Sequence, residues 1–346
     1  MGKIKFNDGT VIENYGRPYI IAEVNSSHNG DVEVAKKMID AAVDTGCDCV
    51  KFQSWTTDTL YSKTYYDKNP IAKRFVDKLS LSSDELKQMS DYCKSKNIGF
   101  SSTPYSCQEV DFLVQCDVPF IKISSMEINN LEFIEYIGNK QVPVVISTGM
   151  AEENEIRAAI RTLEKTGNKN IVILHCVSIY PAELTKINLR NISWLEEEYP
   201  QYAIGFSDHT IGDSAAIASV ALGASVIEKH ITLDSKKIGM DNQIAMEPQD
   251  LKMFTQKVRD ISLSLGSLKR IVTSEEYAQR LKMRRSIVAT RDIEVGETIA
   301  KEDLTYKRPG DGISPDRAKL LIGCKAKQKI QKDTIISISD IENPVV

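Results

Sequence analysis

Between Tyr19 and Leu265 a short apolar run, a polar turn and a helix-patterned stretch follow one another again and again. The runs are Tyr19–Val24, Cys49–Phe52, Ile98–Ser102, Phe120–Ile123, Pro143–Ser147, Ile171–Leu174, Tyr202–Phe206 and Ala224–Ile227. A strand can lie parallel to its predecessor only after a connection of about a dozen residues, usually a helix, and these spacings supply that. Eight such units over roughly 250 residues predict an α/β fold of the (β/α)8 barrel type. An open doubly wound sheet is the alternative, but no GxGxxG follows the first run.

Helices are expected over Ser82–Lys96, Asn130–Gly138, Glu153–Thr166, near Trp194 and over Gln249–Leu265. Asp31 is the expected N-cap of a helix whose Val34, Met38, Ile39 and Ala42 share one face. Residues 1–18 predict a hairpin turning at Asp8-Gly9, and a long polar loop follows Gln53 as far as about Leu79. The barrel with its hairpin is assigned to 1–266, a charged helical linker to 267–284, and a small domain to 285–346. In that domain Ser286–Ala289, Thr305–Lys307 and Ile335–Ile338 read as β-runs, and Ser314–Ile322 as a helix ending at Gly323. So small a domain is expected to lean on something larger.

A barrel carries its chemistry on the loops after the strand ends. All four histidines, His28, His175, His209 and His230, fall at or just beyond such an end. His209 and His230, on neighbouring strands, can form a divalent-metal site with open positions, or simply close two strands. Lys51 and Lys122 reach the same rim with the hydroxyls of Thr103, Ser125, Ser147 and Ser207, a combination suited to a phosphate. Salt bridges to Glu23, Glu127 or Glu228, or Schiff-base chemistry, are the other uses of such lysines. Glu127 is a candidate general base or an ordinary cap. Arg308, before Pro309-Gly310, is a candidate ligand anchor or a solvated arginine.

The formal charge of −4 gives no field for nucleic acid or an anionic membrane. No apolar run is long enough to span a bilayer. Seven scattered cysteines without a CxxC pair fit a reduced, cytoplasmic protein.

Several motifs in order (IIAEVNSSHNG, VKFQ, SSTP, KISSMEINN, STGM, LHCVSIYP, GFSDHT, ASVIEKH and KRPG) resemble those of the sialic acid (nonulosonic acid) synthases over roughly residues 18–342. The resemblance implies a (β/α)8 barrel followed by an antifreeze-like (SAF) domain. It implies condensation of phosphoenolpyruvate with an N-acylated mannosamine-type sugar. His209 and His230 would hold manganese, or magnesium or cobalt. Lys51, Thr103, Lys122, Ser125, Ser147 and Ser207 would hold phosphoenolpyruvate, and Glu127 would be the base. Gln53, Tyr180 and Asp241 would touch the sugar, with Glu23 and Ser178 in the same substrate-binding set. Arg308 would reach the partner's site in a domain-swapped homodimer.

Three stretches depart from the common pattern: Gly239-Met240-Asp241-Asn242 in place of Gly-Pro-Asp-His, Val177-Ser178 before the Ile-Tyr-Pro segment, and Asn25-Ser26-Ser27 in place of Gly-hydrophobic-Asn. They leave N-acetylmannosamine and the 2,4-diacetamido-trideoxy sugars both open as acceptors. A Schiff-base aldolase using Lys122 and a sugar-binding relative without activity are the rival readings.

Overall fold

The computed structural model describes residues 2–237 and 239–342. The chain divides into two compact units that meet between Gly266 and Ser267.

The first unit is a barrel of eight parallel strands: β1 (Tyr19–Glu23), β2 (Cys49–Gln53), β3 (Gly99–Thr103), β4 (Ile121–Ile123), β5 (Val144–Ser147), β6 (Ile171–Cys176), β7 (Ala203–Asp208) and β8 (Val226–His230). Ladder pairing runs β3-β2-β1-β8-β7-β6-β5-β4. The Ser101 hydroxyl donates to the Phe120 carbonyl at 2.8 Å and bridges β3 to the start of β4. Both faces of these strands are buried, which is why they read as continuous apolar runs.

Outward residues such as Ile20, Val50, Ile146, Ile173 and Ile204 join the helices in the main core. Asp31 caps the first of these helices as expected, its carboxylate accepting the amides of Glu33 and Val34. Ser82 and Glu85 form a capping box on the helix Ser83–Ser95.

Inward residues form a separate cluster, in which Tyr19, Ile21, Cys49, Phe120, Val172 and Val226 pack with Ile4, Phe6 and Ile12 of the N-terminal hairpin. Lys3–Lys5 and Val11–Glu13 pair antiparallel around the Asp8-Gly9 turn. The Phe6 ring lies 5.1 Å from Tyr19, edge to face, and 4.8 Å from Phe120. Asn14 Oδ1 accepts the Ile204 amide at 2.8 Å. The hairpin therefore plugs the N-terminal end of the barrel with apolar side chains and leaves the polar inward residues at the other end.

Residues 54–79 differ from the expected loop. They form three short helices, Thr57–Leu60, Lys63–Lys68 and Pro70–Leu79. Trp55, Tyr66, Val76 and Leu79 give this insertion its own small core. In Pro70–Leu79, Ala72, Phe75, Val76 and Leu79 recur at helical spacing, whereas the four- and six-residue helices before it are too short to show a period. A helix over Cys107–Gln115, capped by Ser106, also appears without having been expected.

In the second unit, Ser274–Met283 is a helix capped by Thr273. Ser286–Ala289 pairs with Leu304–Lys307, and Lys325–Ala326 with Ile341–Glu342. Ile287, Ile293, Ile299, Leu321, Ile330 and Ile336 are part of its core. The expected β-run Ile335–Ile338 is no strand: Ile335 makes one bridge to Val288, and a 3-10 turn begins at Ile338. The expected helix is a 3-10 segment, Pro315–Leu320, with Gly323 at φ +87° just beyond it. Cys47, Cys49, Cys93, Cys107, Cys116 and Cys176 are free thiols, and no described helix is long and apolar enough to cross a membrane.

Candidate active site

Inward-facing side chains at the C-terminal ends of the strands surround a cavity of about 280 Å³. Strand alternation decides which residues enter it. Glu23, Lys51, Gln53, Thr103, Lys122, Ser147, Cys176, Ser207, Glu228 and His230 all point inward and line it. Their neighbours in the sequence face the helices.

Lys51 and Lys122 are buried cations. Lys51 Nζ donates to Thr103 Oγ1 at 3.0 Å, contacts the Glu23 carboxylate and lies 3.6 Å from Glu228 Oε2. Lys122 Nζ donates to Ser147 Oγ at 2.7 Å and to the Ile123 carbonyl at 3.1 Å. Ser207 Oγ donates to Glu228 Oε1 at 2.8 Å. Burial pulls the Lys51 ammonium down, but Glu228 and Glu23 outweigh it and hold it above its ordinary range. Burial pulls Lys122 down, and the nearby carboxylates do not fully restore it. Burial pushes Glu228 up, but Lys122 and Lys51 overcome it and bring the group to about 2. Burial leaves Glu23 raised.

His230 closes β8 and His209 follows β7; both are buried, with ring centroids 5.4 Å apart. His209 Nδ1 donates to the Val177 carbonyl at 2.9 Å, which leaves Nε2 as the ring nitrogen that could ligate. Burial lowers the His209 pKa, but Cys176 outweighs burial and holds it above the ordinary range. The Tyr180 ring lies 4.1 Å from that imidazole. Burial, then the neighbouring His209, push His230 well below its usual range and keep it neutral. Asp241 Oδ2 lies 3.7 Å from His230 Nδ1. Two neighbouring imidazoles, His209 oriented through its Nδ1 bond, fit a divalent cation held by two protein ligands. Among the described residues no group of three or more His, Cys, Asp or Glu forms a metal cage, so further positions would be left for small molecules.

Ser125, Ser178, Tyr180 and Asp241 also line the cavity. Ser125 Oγ accepts the Gly149 amide at 3.0 Å. Gln53 is fixed at both ends of its amide: Nε2 donates to Glu23 at 3.0 Å, and Oε1 accepts from Trp55 Nε1 and Tyr105 Oη. Glu127 is not in the lining. It ends the turn Ser125–Glu127, where its carboxylate accepts from Asn130 Nδ2 at 2.8 Å. Arg308 is exposed in the second unit, just after the strand Leu304–Lys307.

The other two histidines do not reach the cavity. His175 faces outward, stacked on Phe206, with Nε2 bonded to the Ile187 carbonyl at 2.6 Å. His28 Nδ1 accepts the Gly30 amide at 3.0 Å, and burial pushes its pKa down to about 4. Lys229 and Asp208 likewise face outward and form a fully buried ion pair at 2.8 Å behind β7 and β8.

Lining residues not picked out as site residues from the sequence are Asn25, Trp55, Leu60, Tyr61, Tyr105, Met126, Met150, Cys176, Glu228 and Met240, with Ser124. Counting back by two from His230 would have found Glu228. Burial pushes the Cys176 thiol up, but His209 and the hydroxyls of Ser125 and Ser178 outweigh it and bring it to about 7.

The NeuB family pattern matches residues 38–270, and the SAF domain pattern matches residues 284–342. The chain belongs to the NeuB family. It is 37% identical over 337 residues to an N,N'-diacetyllegionaminic acid synthase of Legionella pneumophila, covering 94% of each chain. It is 38% identical to one of Campylobacter jejuni, covering 92% of this chain and 98% of that one. Among solved structures, the N-acetylneuraminic acid synthetase of Leptospira borgpetersenii, in complex with citrate, superposes with a TM-score of 0.74 at 30% identity. That alignment covers 80% of this chain and 94% of the other. The fold is thus a (β/α)8 barrel with a terminal SAF domain, in a family of nonulosonic acid synthases.

Proposed function

We propose that the chain condenses phosphoenolpyruvate with the open-chain aldehyde of an N-acylated amino sugar, giving a nine-carbon 2-keto acid and phosphate. The observation that carries this is the pair of buried lysines, each bonded to a hydroxyl, in one cavity with two neighbouring imidazoles.

Lys51 with Thr103 and Lys122 with Ser147 offer charge-assisted donors from several directions to phosphate and carboxylate oxygens. His209 and His230 would hold a divalent ion, manganese first and magnesium or cobalt as alternatives. Such an ion supplies Lewis-acid polarisation of an aldehyde oxygen when bound. Carbon 3 of phosphoenolpyruvate forms the new bond to the aldehyde carbon, whose oxygen takes up a proton. Water adds at carbon 2 and loses a proton to a carboxylate, and the carbon–oxygen bond to phosphate breaks. The lysines stabilise the departing charge. Glu127 is the base that the family resemblance assigns, while Glu23, Glu228 and Asp241 are carboxylates in the cavity lining.

The acceptor to test first is a 2,4-diacetamido-2,4,6-trideoxyhexose. Two relatives carry the diacetyllegionaminic name, and Trp55, Leu60 and Met240 give the cavity an apolar wall that suits acetyl and methyl groups. N-acetylmannosamine is the alternative. The proposal includes a homodimer exchanged through the terminal units, with Arg308 of each chain serving the other's cavity. Light scattering of the full chain against one ending near residue 283 tests it.

The decisive assay is phosphate release from phosphoenolpyruvate with manganese and each sugar, repeated after chelation. Release that ignores chelator, or none with any acceptor, refutes the scheme. The lowered Lys122 pKa favours one rival, a Schiff-base aldolase. Borohydride trapping of substrate on Lys122 would identify it.

A further inference from the structure

Two of the stretches that depart from the common family pattern, Asn25-Ser26-Ser27 and Met240-Asp241-Asn242, touch each other in the folded chain. Asn25 and Asp241 are 216 residues apart in the sequence, yet Asn25 Nδ2 donates to the Asp241 carboxylate. Ser27 Oγ donates to Asn242 Oδ1 at 2.7 Å, and both side chains are buried. The Met240 amide donates to Ser26 Oγ at 3.4 Å. A proline at position 240 would have no amide hydrogen, and an aliphatic residue at 26 would have no acceptor. The two stretches therefore hold each other through three hydrogen bonds.

Asn25 is fixed from both sides. Its backbone amide donates to Glu23 Oε1 at 3.1 Å. A carboxylate only accepts, so the side-chain NH2 must face Asp241. The backbone sits at φ +46°, a region asparagine tolerates better than most residues. Asn25, Met240 and Asp241 all line the cavity.

We propose that these two loops form one specificity element for the acceptor, with Asn25 as a positioning residue that holds Asp241. The inference rests on the synthase reading above. Held in this way, the carboxylate receives a hydrogen-bond donor, a hydroxyl or an acylamino N–H, from a sugar that is uncharged at that end. A phosphorylated sugar end placed there would meet a fixed like charge.

Asn25→Gly tolerates the positive φ and removes the side chain that holds Asp241. The expected result is an acceptor KM raised about tenfold, as Asp241 loses its fixed position, with the phosphoenolpyruvate KM unchanged and Tm lowered by no more than a few degrees. Asn25→Asp should be worse, because two carboxylates then face each other. Combining Asn25→Asp with Asp241→Asn restores a donor–acceptor pair and should recover part of the loss. Additive losses in that cycle, an equal rise in both KM values, or equal use of a sugar and its phosphate would overturn the proposal while leaving the synthase reading intact. A wild-type enzyme silent with every acceptor would overturn both.

Discussion

His28 is the histidine whose titration the structure predicts most directly. It is 2% exposed, accepts the Gly30 amide on Nδ1, and is pushed by burial from its ordinary 6.5 to about 4. Above pH 6.5 the ring is neutral in folded and unfolded chains alike, and its full contribution is present. Below that, the unfolded chain takes up a proton that the folded chain refuses, so stability falls by about 1.4 kcal/mol per pH unit. The loss continues until the pH reaches the folded value, for a total of about 3 kcal/mol. His28→Asn keeps a side-chain acceptor near the Gly30 amide and removes the titration. Urea unfolding of both proteins at pH 7 and pH 4.5 isolates the effect, because other acid-sensitive groups are common to both. The wild type should lose about 2–3 kcal/mol more than the variant between those pH values. Equal losses would show that the ring is not held neutral, and would refute the placement of His28 as a buried structural side chain.

Lys122→Met should lower phosphate release by about a hundredfold or more, since it removes a preorganised charge donor; a change under threefold would remove Lys122 from the site. His209→Ala should abolish the metal-dependent part of turnover, and its activity should not respond to manganese added back after chelation. Near-normal activity in that variant would refute the imidazole pair as the cation site. Phe6→Ala should cost about 3–5 kcal/mol in urea unfolding, because the ring is buried between Tyr19 and Phe120. A cost below about 1 kcal/mol would show that the hairpin is not part of the barrel core.

The barrel was legible because parallel strands buried on both faces leave long apolar runs, and because the crossover helices keep their spacing. Lys51, Lys122, His209 and His230 were legible for a related reason, since each sits where an apolar run ends. The face each residue takes was harder to read. β6 extends to Cys176, which turns Cys176 inward and His175 outward, and ending the strand at Leu174 hides that phase. The insertion over 57–79 was harder to read because two of its helices are only four and six residues long, although Ala72, Phe75, Val76 and Leu79 of the third recur at helical spacing. The bonds from Asn25 to Asp241 and from Ser27 to Asn242 join distant segments, and each stretch alone showed only a departure from pattern.

The outward-facing Asp208–Lys229 pair bears on how this chain can drift by mutation. Both side chains are fully buried, and Lys229 also donates to the Thr210 carbonyl at 2.6 Å. Losing either partner alone would strand a charge at a cost of about 3–5 kcal/mol, a large fraction of a typical domain's stability. Exchange of both for apolar residues of similar volume would be close to neutral. Single substitutions therefore face a barrier that a double substitution avoids. A library randomised at both positions and selected only for folded protein should return charged pairs and apolar pairs, with few mixtures of the two.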